Sequence, residues 1–135
     1  MSDKTMSTES TRPTTEPAIR MVMMPRDTNA AGTIFGGVIL SHLDLAAAIE
    51  AHNHHQGMVV TVAMDKVEFK QPVHVGDLVS FYTETLRVGR TSVATRVCVW
   101  AQRRFGDGGH IPVTEAHVTM VAVGEDGKPT PLRED

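Results

Sequence analysis

Two adjacent glycines, Gly36 and Gly37, open an apolar run, and a single carboxylate, Asp44, follows well inside it. Glycine keeps Cβ out of the way of an approaching backbone or ligand. The first turn of a helix also holds N–H groups without intrahelical acceptors, with the positive end of the helix dipole behind them. Donors of that kind stabilise a developing oxyanion. The residues one turn from Asp44 are Leu40, Ser41, Ala47 and Ala48, with no cation among them to neutralise it. A carboxylate among apolar neighbours is costly unless it has a partner or a task, and a desolvated one is a stronger base than a hydrated one. These types at this spacing predict that the Gly37 N–H and the Asp44 carboxylate serve one reacting carbonyl, with Asn29 as a further polar group ahead of the helix.

Other clusters read less sharply. Glu50, His52, His54 and His55 offer metal-ligating types, but no second cluster with zinc-like spacing follows, and imidazoles at a helix C-terminus are explained by the dipole. No metal is therefore expected. Arg87, Gly89, Arg90, Thr91 and Ser92 put two cations and two hydroxyls around a tight turn, a set that suits phosphate oxygens as well as solvent. Arg103 and Arg104 are candidates to extend the same positive rim. Cys98 and Trp100 fall on one side of a strand and suggest packing. Neither a nucleophile–base signature nor a phosphate loop of the Walker type is present.

The elements that must position these groups follow from pattern and punctuation. Residues 1–17 are polar and rich in Ser, Thr and Pro, a disordered tail by composition. Ala18 to Met24 reads as a short strand stopped by Pro25, and Gly36 to about His52 as a helix with few polar positions, hence a buried one. Met58 to Phe69 alternates, with Val59, Thr61, Ala63, Asp65, Val67 and Phe69 expected on one face. Leu78 to Val88 and Ser92 to Gln102 are joined by a tight turn, and Ile111 to Val123 is the last strand. The connections are too short for parallel crossovers, so the sheet is antiparallel.

One helix of this kind and several long strands predict an α+β domain in which a curved sheet wraps the helix. A single sheet cannot cover the helix completely. The remaining apolar surface and a free sheet edge predict a homodimer as the least unit. The chain of 135 residues suits one domain. Its net charge of -3 argues against a nucleic-acid partner, its single cysteine fits a reducing, cytoplasmic setting, and no apolar run is long enough to span a bilayer.

PRDTNAAGTIFGGVILSHLDLAAAI, with VTVAMDKVEFKQPVHVGDLV and RVGRTSV after it, closely resembles the acyl-CoA thioester hydrolases of the hotdog fold, in particular the small bacterial enzymes of the YciA type. The resemblance runs from about Ala18 to Lys128, leaving the tail 1–17 and a C-terminal tail, 129–135. It implies a hotdog domain over 18–128 that hydrolyses acyl-CoA without a cofactor. In such enzymes the residue matching Asp44 is the catalytic carboxylate, and that matching Asn29 completes the site from the facing subunit. The N–H matching Gly37 polarises the thioester carbonyl. Gly36 and the segment Gly89, Arg90, Thr91 and Ser92 match the path of coenzyme A. Dimers assembling into trimers of dimers are implied as well. Two rivals remain at this point: a hotdog dehydratase, which needs a histidine beside the carboxylate, and a non-catalytic acyl-CoA binding module, which would have lost Asp44.

Overall fold

The computed structural model describes residues 11–133. Five strands, β1 (Ile19–Val22), β2 (Val59–Phe69), β3 (Leu78–Val88), β4 (Ser92–Gln102) and β5 (His110–Ala122), form one sheet in the order β1-β3-β4-β5-β2, and every neighbouring pair is antiparallel. One long α-helix, α1 (Gly36–Ala51), lies against β2, β3, β4 and β5. β3 and β4 have the ends their punctuation predicts, because Gly89 closes the turn between them by donating its N–H to the Ser92 carbonyl at 2.8 Å.

Burial, more than propensity, stabilises α1. Glycine costs a helix about 1 kcal/mol per residue, and less in the first turn, where Gly36 and Gly37 stand. Burying a Leu or Ile side chain contributes about 1.5–3 kcal/mol, and both Ile39 and Leu43 are buried. Ala46, Ala47 and Ala51, all fully buried, bring the helix close to the valines of β3, β4 and β5. The helix stops at His52, whose N–H donates to the Ala48 carbonyl.

Two expectations need correction. Within one chain α1 is not buried on nearly every side: Leu45 and Ile49 are 54% and 42% exposed, because the sheet covers only one flank. β2 does not alternate cleanly either. Its register with β5 shifts between Thr61 and Ala63 and again between Asp65 and Glu68, where Lys66 takes a φ of 55°. Thr61 pairs with core-facing Met120, but Ala63 and Asp65 pair with Thr119 and His117 of the opposite face. A bulge inserts one residue and so reverses the side-chain alternation beyond it. β2 is also the long free edge, and Val60, Val62, Val67 and Phe69 are exposed along it.

Of the polar stretch 1–17, residues 1–10 lie outside the described residues; Arg12 donates to the Tyr82 hydroxyl at 3.3 Å. At the other end, Thr130, Leu132 and Arg133 donate their N–H groups to the Ala122 carbonyl, the Arg90 carbonyl and His55 Nδ1. His55 is buried, and that burial, with the nearby charges of Arg133 and His52, lowers its pKa from 6.5. A histidine with a depressed folded pKa stabilises the structure fully above its unfolded value, and loses that contribution as pH falls through the folded one. Protonation also removes the lone pair that accepts the Arg133 N–H. Hydrogen exchange at Arg133 is therefore expected to accelerate as pH falls below 6.5, beyond the intrinsic pH dependence of exchange, and by more than at Val97 in the core, which reports only the loss of global stability.

Candidate active site

Asp44 projects from the third turn of α1 on the flank next to β2. One carboxylate oxygen, Oδ1, accepts the Thr61 hydroxyl at 2.6 Å, while Oδ2 accepts no hydrogen bond among the described residues. Among the described residues no arginine or lysine pairs with Asp44, and its residue is half-buried at the open flank of the helix. The sequence reading did not single out Thr61 as its partner. Only the juxtaposition of β2 and α1, seventeen residues apart in the chain, creates the contact.

The first turn of α1 supplies the second group. Phe35 at the N-cap makes no side-chain cap, and neither the Gly36 nor the Gly37 N–H has an acceptor among the described residues. A Cβ at Gly37 would stand 2.6 Å from the Phe35 ring, and one at Gly36 would stand 3.4 Å from that of Phe69. Gly37 and Asp44 are seven residues apart, hence on the same helical face and about 10 Å apart along the axis.

Asn29 shapes its own loop. Its Oδ1 accepts the N–H groups of Ala31 and Thr33, and its backbone N–H donates to the Thr33 carbonyl, closing a turn ahead of the helix. The Nδ2 donates to Thr33 Oγ1 at 3.1 Å. Among the described residues, no hydrogen bond joins Asn29 to Asp44 of the same chain.

Gly89, Arg90, Thr91 and Ser92 form the β3–β4 turn; Arg90 is exposed, and its guanidinium has no ion pair among the described residues. Arg103 does not extend a rim with it. It is ion-paired with buried Asp77 at 3.1 Å and donates to the Pro72 carbonyl. The eleven residues of β4 hold the two ends roughly 35 Å apart. Glu50 accepts the hydroxyls of Thr83 and Thr85, and His54 Nε2 is 3.0 Å from Thr85 Oγ1, so this cluster ties the end of α1 to β3. Cys98 packs with Tyr82 and Trp100, and its burial pushes the thiol up to about 12. His42 turns its Nδ1 to the Val38 carbonyl at 2.9 Å and its ring toward Phe81, away from the Asp44 side of the helix.

One long helix on an antiparallel sheet, with the Asp44 carboxylate on the same helical face as the free Gly37 amide, defines a class. The chain belongs to the thioesterase superfamily, whose family model matches residues 31–104. It is 40% identical to the acyl-CoA thioester hydrolase YciA of Salmonella typhimurium over 129 residues, covering 94% of this chain and 97% of that one. The corresponding enzyme of Escherichia coli K12 is also 40% identical, over 94% and 98% of the two chains. Among solved structures, Cj0915 of Campylobacter jejuni, a hexameric hotdog-fold thioesterase, is 49% identical with a TM-score of 0.85 over 90% of this chain and 93% of that one. The hexameric thioesterase y2039 of Yersinia pestis is 40% identical with a TM-score of 0.84, over 90% and 99%.

Thr61 gives a prediction of its own. Thr61→Val keeps the shape and removes the hydroxyl that fixes Asp44 Oδ1. A hydrogen bond to a charged group contributes about 1.5–3 kcal/mol, so a loss felt mainly in the transition state lowers kcat about 10-fold or more. Steady-state kinetics on one thioester would check it, with KM expected to change little.

Proposed function

We propose that this protein hydrolyses acyl-CoA thioesters to a carboxylic acid and free coenzyme A. The observation that carries this is Asp44: among the described residues it has no cation as partner, is held at one oxygen by Thr61 and is open at the other, and it lies on the same helical face as the free Gly37 N–H. Its relatives of the YciA type are named for this reaction. Asp44 takes a proton from water as that water adds to the thioester carbon. The carbonyl oxygen gains the negative charge opposite the Gly37 N–H. Collapse breaks the C–S bond, and the thiolate leaves with the proton that Asp44 carried. Direct attack by Asp44, through a mixed anhydride that water then opens, yields the same products. A thiolate needs little help to leave, so the absence of a strong general acid beside Asp44 is no obstacle.

The active unit in this proposal is a pair of chains. If two α1 helices lie antiparallel about a two-fold axis near residue 40, Gly37 of one is level with Asp44 of the other, and the gap of about 10 Å within a chain no longer separates donor from base. Asn29 then faces the pocket from the facing subunit. Gly36 borders the pantetheine arm, and Gly89, Arg90, Thr91 and Ser92 hold the phosphates of coenzyme A. Hexameric relatives support further assembly, as a trimer of dimers.

The test is release of free thiol from acetyl-, butyryl- and palmitoyl-CoA, followed with a thiol reagent. Turnover on at least one chain length is expected; none on any of them rejects the proposal. The dehydratase rival lacks its histidine, since His42 is turned to the sheet.

A further inference from the structure

On the sheet face opposite α1, well away from Asp44, Ser80, Tyr82 and Trp100 line the floor of a pocket of about 310 Å³ whose rim carries Arg12, Arg20, Gln102 and His110. Ser80, Tyr82 and Trp100 are 7%, 1% and 4% exposed, so the floor consists of buried polar groups. The Trp100 indole N–H is buried and has no acceptor among the described residues. A buried donor without a partner costs about 1–3 kcal/mol, which makes it uncommon.

The hydrogen bonds already present make the pocket a set of donors. Arg20 Nε donates to Ser80 Oγ at 2.9 Å, and Arg12 Nη1 donates to the Tyr82 hydroxyl at 3.3 Å. Each hydroxyl thus accepts from an arginine and keeps its own proton to give. Arginine and tryptophan can only donate. Gln102 uses its Nε2 on the Gly108 carbonyl, leaving its Oε1 and one nitrogen of neutral His110 as acceptors at the rim. Burial and the charges of Arg12 and Arg20 lower the His110 pKa.

The charges are equally one-sided. Further along the same face Arg96 has two carboxylates, Glu84 at 3.4 Å and Glu115 at 3.3 Å, whereas neither Arg12 nor Arg20 has an ion pair among the described residues. Glu16 lines the adjoining groove with them but pairs with neither. Two guanidinium groups without an ion pair among the described residues, over a floor that still has three protons to give (the Ser80 and Tyr82 hydroxyls and the Trp100 indole N–H), are matched by an anionic acceptor.

We infer that this outer pocket binds a phosphate group, with Arg12 and Arg20 as its clamp and Ser80, Tyr82 and Trp100 as floor donors. Free phosphate and the phosphoryl end of a nucleotide share this chemistry.

The experiment is thermal unfolding of the full chain against 0–10 mM inorganic phosphate, and separately against adenosine monophosphate, with ionic strength held by sodium chloride. Ligand at 100 times Kd is expected to raise the Tm by about 5 °C or more. Arg12→Gln lies outside the strands and spares the fold; it and Arg20→Gln should each remove most of that rise while leaving thioester turnover without phosphate unchanged. A rise with phosphate alone assigns the free ion, and one with both ligands assigns a phosphoryl group on a larger molecule. No rise with either ligand overturns the inference, as does a rise that survives both substitutions. Filling of the pocket by a carboxylate of a second copy would appear as the first of these failures, with a Tm that depends on protein concentration and falls in Arg20→Gln.

Discussion

Asp44→Asn is expected to lower kcat for thioester hydrolysis by about 10²–10⁴-fold, the usual range for removal of a positioned acid–base group. The exchange is nearly isosteric. An asparagine Oδ1 still accepts the Thr61 hydroxyl, so the tie between α1 and β2 survives. What is lost is the oxygen at Oδ2 that takes a proton from water or attacks carbon. Because Asp44 is half-buried and has no cationic partner among the described residues, its substitution leaves no buried charge behind, and the midpoint of unfolding should shift by no more than a surface change does. That separates a chemical role from a structural one: the former lowers kcat at constant Tm, the latter lowers both. Thr61→Val in the Asp44→Asn background should cost nothing more, since the hydroxyl acts only through the carboxylate. Thiol release by the native chain, the two single variants and the double variant would measure this. Undiminished turnover in Asp44→Asn would reject the role assigned to it.

How much of this was legible in the sequence depends on how local each feature is. The start of α1, both ends of β3 and β4 and the turn at Gly89 are written in glycines and in breaks of hydropathy, so they match. The single long helix on an antiparallel sheet follows from connections too short for anything else. Non-local features were not readable. Thr61 meets Asp44 only because β2 runs beside α1, and the bulge that turns Ala63 and Asp65 to the far face has no marker as plain as a glycine. Arg103 looked like part of a cationic rim because its partner Asp77 comes from a different connection. The outer pocket gathers residues from positions 12 to 110, which no spacing rule connects. Asn29 was visible as polar and near, but not as the residue that closes its own turn.

The open flank of α1 leads to the other large effect. Ile49→Asp should convert the assembly to single chains and abolish turnover with it. In an isolated chain Ile49 is 42% exposed and points away from the sheet side of the helix, so an aspartate there is a tolerated surface change. It becomes costly only if the flank is covered. Leu45 is exposed one turn before it, and Val60 and Val62 are exposed on the neighbouring free edge of β2, so apolar surface is continuous in type on both elements. In a two-fold pair each substitution counts twice. A buried, unpaired charge costs about 3–5 kcal/mol, so two weaken association about 10⁴-fold or more. The chain should then sediment near 14.7 kDa with its secondary structure intact. Phe105→Asp is the control: Phe105 is 80% exposed on the β4–β5 loop, far from that flank, and its loss should leave both mass and turnover as they were. The two readouts answer different questions. Monomers that retain full turnover would show that one helix serves both ends of the reaction across its own 10 Å. Assemblies that persist in Ile49→Asp would place the joint on another face, leaving Leu45 and Ile49 exposed for some other reason. Loss of mass and turnover together is the outcome expected of a thioester pocket built from the opening turn of one helix and the carboxylate of its neighbour.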